Sequence, residues 1–324
     1  MDGRLDRRQL LTGAGGLGLA ALTLAACSPK AVGGAGRTVL KVGNQRGGTK
    51  SVLLASGVLA GAPYQVEWSE FAAAQPLLEA LGAGAVDLGE VGDAPFLYAY
   101  ASGAKIKAVL TGRSGGGSTA VLVRANSDIK IAADLKGRKV ATGRGSIGHY
   151  LLLRVLQNAG LKPTDVQVVF LNPGDAKAAF SSGAIDGWVT WGPYIPLALA
   201  SGARVLASGE GVISGYGYEA ATEAAIATKR PQIADFLHRL AVARRWAVDH
   251  PQEYAAALSK ETGLDLAAAL YTVQRYKALP VPTDQTVIQE AAAVFNTYRD
   301  AGAVSTTRDI TQAFDTSFNA SVAP

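Results

Sequence analysis

Gly145-Ser146 opens a stretch of helical character, and a helix start offers chemistry without any special side chain. Its first N–H groups lack intrahelical acceptors, and the helix dipole favours negative charge beside them. The Ser146 hydroxyl would add a donor, so the pair forms a candidate anion site. The same serine serves equally well as a plain N-cap, worth about 1 kcal/mol, and spacing alone does not choose between the two. Arg144 and His149 flank the turn and could supply charge or a donor, although His149 suits a packed position as well. Gly92-Asp93-Ala94-Pro95 repeats the logic, with N–H groups opening a helix and Asp93 as its cap. Gln45-Arg46-Gly47-Gly48 follows a first strand, where α/β proteins place ligand loops. Trp188 lies inside a strand and is expected in the core, whereas Trp191 and Tyr194, in the turn with Gly192 and Pro193, are candidates for a pocket wall.

Catalytic signals are thin. No GxSxG, P-loop or HExxH pattern occurs, and His149, His238 and His250 have no metal-ligand spacing. These patterns give no expectation of a cofactor, a metal or a bond-making step; His238 and His250 are expected at the surface. Lys+Arg number 31 against 26 Asp+Glu, a net charge of +5, with no basic run longer than two residues. That argues against nucleic acid as a partner.

The elements that must position these residues follow a βαβ rhythm from residue 37 onward. Strands are expected at 38–43, 64–68, 86–89, 106–111 and 120–123, with helices at 50–60, 72–83 and up to residue 102. A Gly-rich connection at 114–118 leads to a second series: strands at 139–142, 166–171 and 185–190, helices at 146–159 and 174–182, and Gly160 as a helix stop. After about Tyr218 the chain is mostly helical, at 231–249, 251–262, 265–276 and 286–301. A chain that builds one α/β lobe, crosses to a second and returns predicts lobe 1 from residues 37–120 and 220–324, lobe 2 from 121–219, and a ligand cleft between them.

The N-terminus is a targeting segment. Arg4, Arg7 and Arg8 precede an uncharged stretch, Leu10 to Ala26, that ends in Leu24-Ala25-Ala26-Cys27. It resembles a bacterial lipoprotein signal of residues 1–26, which implies acylation of Cys27, the sole cysteine and therefore no disulfide partner. Asp6-Arg7-Arg8-Gln9-Leu10-Leu11 further resembles a twin-arginine export signal. Loss of the leader would leave 28 basic and 24 acidic residues, a net +4. Residues 27–36 would then be a flexible tether, and the protein a monomer at the periplasmic or outer face of the cell membrane.

Four blocks carry a resemblance, over about residues 38–300, to the aliphatic-sulfonate-binding proteins of ABC importers. They are Gly43-Asn44-Gln45-Arg46-Gly47; Leu77-Leu78-Glu79-Ala80 through Gly92-Asp93-Ala94-Pro95; Asp134-Leu135-Lys136-Gly137 through Gly145-Ser146 and His149; and Leu171 through Asn172-Pro173-Gly174-Asp175-Ala176 and Asp186-Gly187-Trp188 to Trp191-Gly192-Pro193-Tyr194. The resemblance implies a two-lobed periplasmic-binding fold of type II that closes on its ligand by a hinge. By position Gln45, Gly92, Asp93, Gly145, Ser146 and Trp191 would line the cleft, the sulfonate would lie on the lobe 2 helix start, and permease and ATPase subunits would be the partners. Gly192 and Phe96 stand where the family usually has an acidic residue and a second proline, both expected at the pocket. Related proteins bind taurine, nitrate, sulfate esters or thiamine-pyrimidine precursors, and a cleft enzyme or a sensor subunit could share the fold. An amine-reading pocket would want a carboxylate, for which Asp93, Glu219 and Glu223 are the candidates.

Overall fold

Two sheets share one chain, and the route between them fixes where ligand-facing loops can be. The computed structural model describes residues 37–321; the expected leader, Cys27 acylation and tether lie outside the described residues. β1 (Val39–Gln45), α1 (Thr49–Ser56), β2 (Gln65–Phe71), α2 (Ala74–Gly82), β3 (Leu88–Gly92), α3 (Asp93–Ala101) and β4 (Ile106–Arg113) begin the first sheet. The chain then crosses to build the second from β5 (Thr119–Arg124), β6 (Lys139–Thr142), α4 (Ile147–Asn158), β7 (Gln167–Phe170), α5 (Pro173–Ser182), β8 (Gly187–Trp191), α6 (Tyr194–Ala200) and β9 (Ala203–Ser208). It returns through β10 (Tyr216–Thr222), α7 (Glu223–Asp249), α8 (Pro251–Thr262), α9 (Leu266–Arg275), β11 (Leu279–Val281) and α10 (Gln285–Asp300).

The first sheet has the order β11-β4-β10-β3-β1-β2 and the second β7-β6-β8-β5-β9. β1 runs parallel to β2 and β3, while β10 enters antiparallel between β3 and β4. Each sheet therefore combines parallel βα units with an antiparallel strand made by a crossing of the chain. β10 is buried along its whole length, yet its sequence, Tyr-Gly-Tyr-Glu-Ala-Ala-Thr, places a glutamate at its centre, which hides it from any hydrophobic-run criterion.

Several boundaries move for local reasons. α1 stops at Ser56 because Gly57 turns left-handed at φ 69°, so the helix does not reach Ala60. The strand expected at 86–89 begins at Leu88 and extends to Gly92. α7 starts at Glu223, eight residues before Pro231: the proline sits inside the helix, whose backbone breaks at Lys229 (φ −130°, ψ 24°) rather than at a terminus. α6 and β9 form in a stretch to which the sequence reading assigns no element.

The first sheet is covered on one side by α1, α7, α8 and α9 through Leu53, Phe236, Leu240 and Leu258, and on the other by α2, α3 and α10. In the second, Trp188 is 2% exposed and meets Phe180 and Tyr194 with ring centroids 6.0 and 6.1 Å away. Trp188→Ala is expected to cost about 3–5 kcal/mol, read as a lower midpoint in urea unfolding.

Candidate functional site

α4 begins at the C-terminal end of β6. Ser146 caps it: its Oγ accepts the His149 N–H at 3.1 Å and donates to the Gly143 carbonyl at 2.7 Å. The hydroxyl proton is thus engaged, so Ser146 acts first as an N-cap. The Ile147 and Gly148 N–H groups complete that first turn and have no intrahelical acceptor.

The turn is held close to its neighbours. A β-carbon on Gly148 would stand 2.6 Å from Thr142 Oγ1, 3.0 Å from the Val189 carbonyl and 3.2 Å from the Trp191 ring. Trp191, the last residue of β8 rather than part of the following turn, thereby walls the helix start. Gly145 has φ 65°, and a β-carbon there would press on the Tyr98 ring of α3 at 3.1 Å. Tyr298 of α10, fully buried, donates from its hydroxyl to the Ser146 carbonyl at 2.8 Å.

His149 Nδ1 accepts the Gly145 N–H at 3.2 Å, which leaves the ring proton on Nε2. Burial and the Arg144 charge lower its pKa to about 4, so the imidazole is neutral at physiological pH. Arg144 itself is exposed, its guanidinium lying 3.9 Å from the Phe170 ring centroid.

The β3–α3 turn of the first sheet reaches this place: a β-carbon on Gly92 would lie 3.7 Å from Ile147 Cβ. Its donors are fewer than the sequence suggested. Gly92, not Asp93, is the N-cap. Asp93 Oδ1 takes the Ala94 N–H at 2.7 Å, and Pro95 has no N–H to give. The Asp93 carboxyl is fully buried, its Oδ2 lacks a partner, and burial pushes its pKa up to about 7. At the start of α1, Gly48 is an uncapped N-cap, and Gln45 Nε2 donates to the Glu90 carbonyl at 2.9 Å, which locks the β1 loop onto β3.

A family model described as NMT1/THI5 like matches residues 65–254. The chain belongs to the NMT1/THI5-like family. Over 87% of its length it superposes on 99% of the alkanesulfonate-binding protein of Xanthomonas axonopodis pv. citri, solved with MOPS bound, at TM-score 0.81 and 30% identity. The periplasmic aliphatic sulphonate binding protein of Escherichia coli aligns over 86% of this chain and 92% of its own at TM-score 0.76 and 33% identity. A protein of E. coli (strain K12) named as an aliphatic sulfonates-binding protein is 45% identical over 174 residues, 52% of this chain and 54% of the relative. The chain spans about half the length of the curated relatives it matches. The architecture of this NMT1/THI5-like chain is the periplasmic-binding-protein fold of those solved structures.

Within that NMT1/THI5-like frame the remaining site residues separate. Arg46 is exposed and donates to the Thr262 carbonyl at the end of α8, and its charge acts on Tyr194. It lines an open groove with Lys50, Glu70, Phe71 and Glu261. Phe96, expected at the pocket, is instead fully buried against Tyr100, Tyr218 and Phe314, because α3 turns it onto the sheet. Gly192 is half-buried at φ 53° with nothing within 4 Å of a β-carbon. Glu223 is exposed at the start of α7. Glu219 is bound within the first sheet's charge cluster with Thr49, Glu90 and Arg244, a group that sequence reasoning missed along with Tyr298. Its members are scattered singly over α1, β3, β10 and α7, so no spacing announces them. Among the described residues, no group of three or more His, Cys, Asp or Glu could hold a metal ion.

Gly148→Ala is expected to destabilise the protein by about 1–3 kcal/mol in chemical denaturation, because the new methyl must displace Thr142 and Trp191. His149 is expected to stay unprotonated in ring-proton NMR titrations down to about pH 5. The unfolded chain takes up this proton first, so the His149 contribution to stability should decline as pH falls from 6.5 towards 4, read as the difference between wild type and His149→Phe.

Proposed function

We propose that the protein is the extracytoplasmic solute-binding component of an ABC importer and captures a small organic anion, most specifically an aliphatic sulfonate. The observation that carries this is the first turn of α4. Two N–H groups without helical acceptors, a cap that holds them in place and the Trp191 ring meet at one helix start, with the β3–α3 turn of the other sheet beside it. A helix N-terminus binds sulfonate oxygens through amides and dipole together, and an indole face suits an apolar tail. The relatives' names, which specify alkanesulfonates and aliphatic sulfonates, support the same ligand class.

In this reading Ser146 contributes by capping and Arg144 by long-range attraction of anions from an exposed position. Gln45, Gly92, Asp93, Gly145 and Trp191 frame the cleft, with Arg46 and Tyr194 at its rim and His149 behind it. Lobe 1, expected at 37–120 and 220–324 but taking in all of β10 from Tyr216, and lobe 2, expected at 121–219 but taking in β5 from Thr119, close on the ligand without making or breaking a bond, and the loaded protein docks on permease and ATPase subunits. Export on a leader of residues 1–26 and acylation of Cys27 would hold a monomer at the outer face of the cell membrane.

The test is a calorimetric and thermal-shift screen of alkanesulfonates of graded chain length, with taurine, sulfate, nitrate and pyrimidines as comparators. A sulfonate at about a hundred times its Kd is expected to add about 2.7 kcal/mol of stability; a response confined to nitrate or pyrimidines would overturn the ligand class. Gly148→Ala should weaken the sulfonate response more than tenfold if the α4 amides hold the anion.

A further inference from the structure

Behind the cleft edge of the first sheet, Thr49 Oγ1 stands 2.9 Å from Glu90 Oε2 and 2.9 Å from Glu219 Oε1. A threonine hydroxyl has a single proton to give. It can satisfy one carboxylate as donor, and the second contact is a hydrogen bond only if that carboxyl brings a proton of its own. The surrounding groups identify which one does. Glu90 receives Arg244 Nη2 at 2.8 Å and the Tyr276 hydroxyl, a donor set suited to an ionised carboxylate. Glu219 is fully buried, stands 3.2 Å from that same Nη2, and has no partner at all on Oε2. One guanidinium therefore faces two carboxyl groups, and a single proton balances the set.

We propose that Glu219 is a positioning residue that works as a carboxylic acid, donating to Thr49 Oγ1 while Thr49 donates to Glu90, so that this relay fixes the start of α1 against the end of β3. Both ends matter for capture: Glu90 also receives Gln45 Nε2 on its carbonyl and lies two residues before Gly92, while Thr49 is the first residue of α1. The inference rests on the cleft reading above for its effect on ligand, but the proton itself can be measured without one.

Burial and the Glu90 charge raise the Glu219 pKa to about 8, against the opposing pull of Arg244 and Thr49. The groups facing it are Glu90 from β3, Arg244 from α7, Thr49 from α1, and, around the same ion pair, Tyr254 from α8 and Tyr276 beyond α9. A carboxyl that ionises at 4.5 when unfolded and about 8 when folded makes folding take up a proton between those values. The Glu219 contribution to stability then falls as pH rises from about 5 to about 8 and levels off above.

The experiment compares wild type with Glu219→Gln, which retains a neutral donor for Thr49, and Glu219→Ala, which does not. For the sulfonate that binds best, Glu219→Ala should lose about tenfold or more in affinity at pH 7 and Glu219→Gln should recover most of it. Between pH 8 and 9 the wild-type Kd should rise several-fold, approaching tenfold per unit further up, while that of Glu219→Gln stays flat. Asp93, which titrates nearer 7, is common to both proteins and cancels in the comparison. Parallel pH profiles, or wild-type affinity in Glu219→Ala, would overturn the relay. If no ligand in the screen binds, the function reading fails separately. The relay is then judged by whether the melting temperature of wild type declines relative to Glu219→Gln across pH 5 to 8. Should the variants not fold, infrared spectra of Asp93→Asn, which removes the other buried carboxyl, decide: a buried carboxylic acid band present at pH 7 and lost by pH 9 supports the relay, and its absence at pH 7 overturns it.

Discussion

The closeness of α4's first turn to the ends of β6 and β8 is the constraint on which the candidate site depends. A β-carbon at 148 would have to displace its neighbours, since Thr142, the Val189 carbonyl and Trp191 already occupy that volume. That approach brings the free amides of Ile147 and Gly148 beside the Trp191 ring instead of leaving them in open solvent. Ser146 holds the turn from inside through Gly143 and His149, and Tyr298 holds it from outside through the Ser146 carbonyl. A site whose donors are backbone amides cannot be tuned by swapping a side chain at the contact. Its precision has to come from packing around it, and the packing is contributed by α3 and α10 as well as by the second sheet.

The first sheet meets the same requirement with charge. Its cleft-side edge is fixed by Arg244, 6% exposed, between Glu90 and Glu219. Gly112 is what admits the guanidinium, because a β-carbon there would stand 2.7 Å from Arg244 Nη1. Burying such a group costs several kcal/mol of desolvation per ion, so hydrophobic packing of equal volume would serve stability as well. Its distinct contribution is directional: α1, β3, β10 and α7 are tied by bonds that exist in one arrangement only. A cavity of about 170 Å3 beside it, between α1, α7, α8 and α9, leaves the cluster room that a filled core would deny.

The legible part of this protein was local. Gly145-Ser146 announced a capped helix start, Gly160 a helix stop, Trp188 a core residue, and the βα alternation the fold class, because each is decided by neighbours in sequence. β10 was not legible: a buried strand with Glu219 at its centre looks polar until Arg244, 25 residues later, is known to meet it. Phe96 misled for the same reason, as did Asp93 in its expected role as N-cap, since a helix start near a cleft says nothing about which side chains rotate inward to the core. Ser146 was half legible. Its capping role follows from sequence, whereas the engagement of its proton by Gly143 depends on the shape of the loop.

The division of labour between the sheets suits an anion that carries its charge at every physiological pH. A sulfonate, the ligand class proposed above, needs no acid or base from its host, and the donors at the start of α4 would not answer pH: Ile147 and Gly148 cannot titrate, and His149 is kept uncharged by burial and by Arg144. Titration is instead confined behind the first sheet's edge, where Glu219 and Asp93 are enclosed. A cationic side chain in direct contact would bind more strongly, but it would hold sulfate and phosphate as readily. Amides at a helix start also accept sulfate and phosphate, so in the proposed site discrimination between an inorganic anion and an organic one would fall to the apolar wall that Trp191 offers and not to the charge.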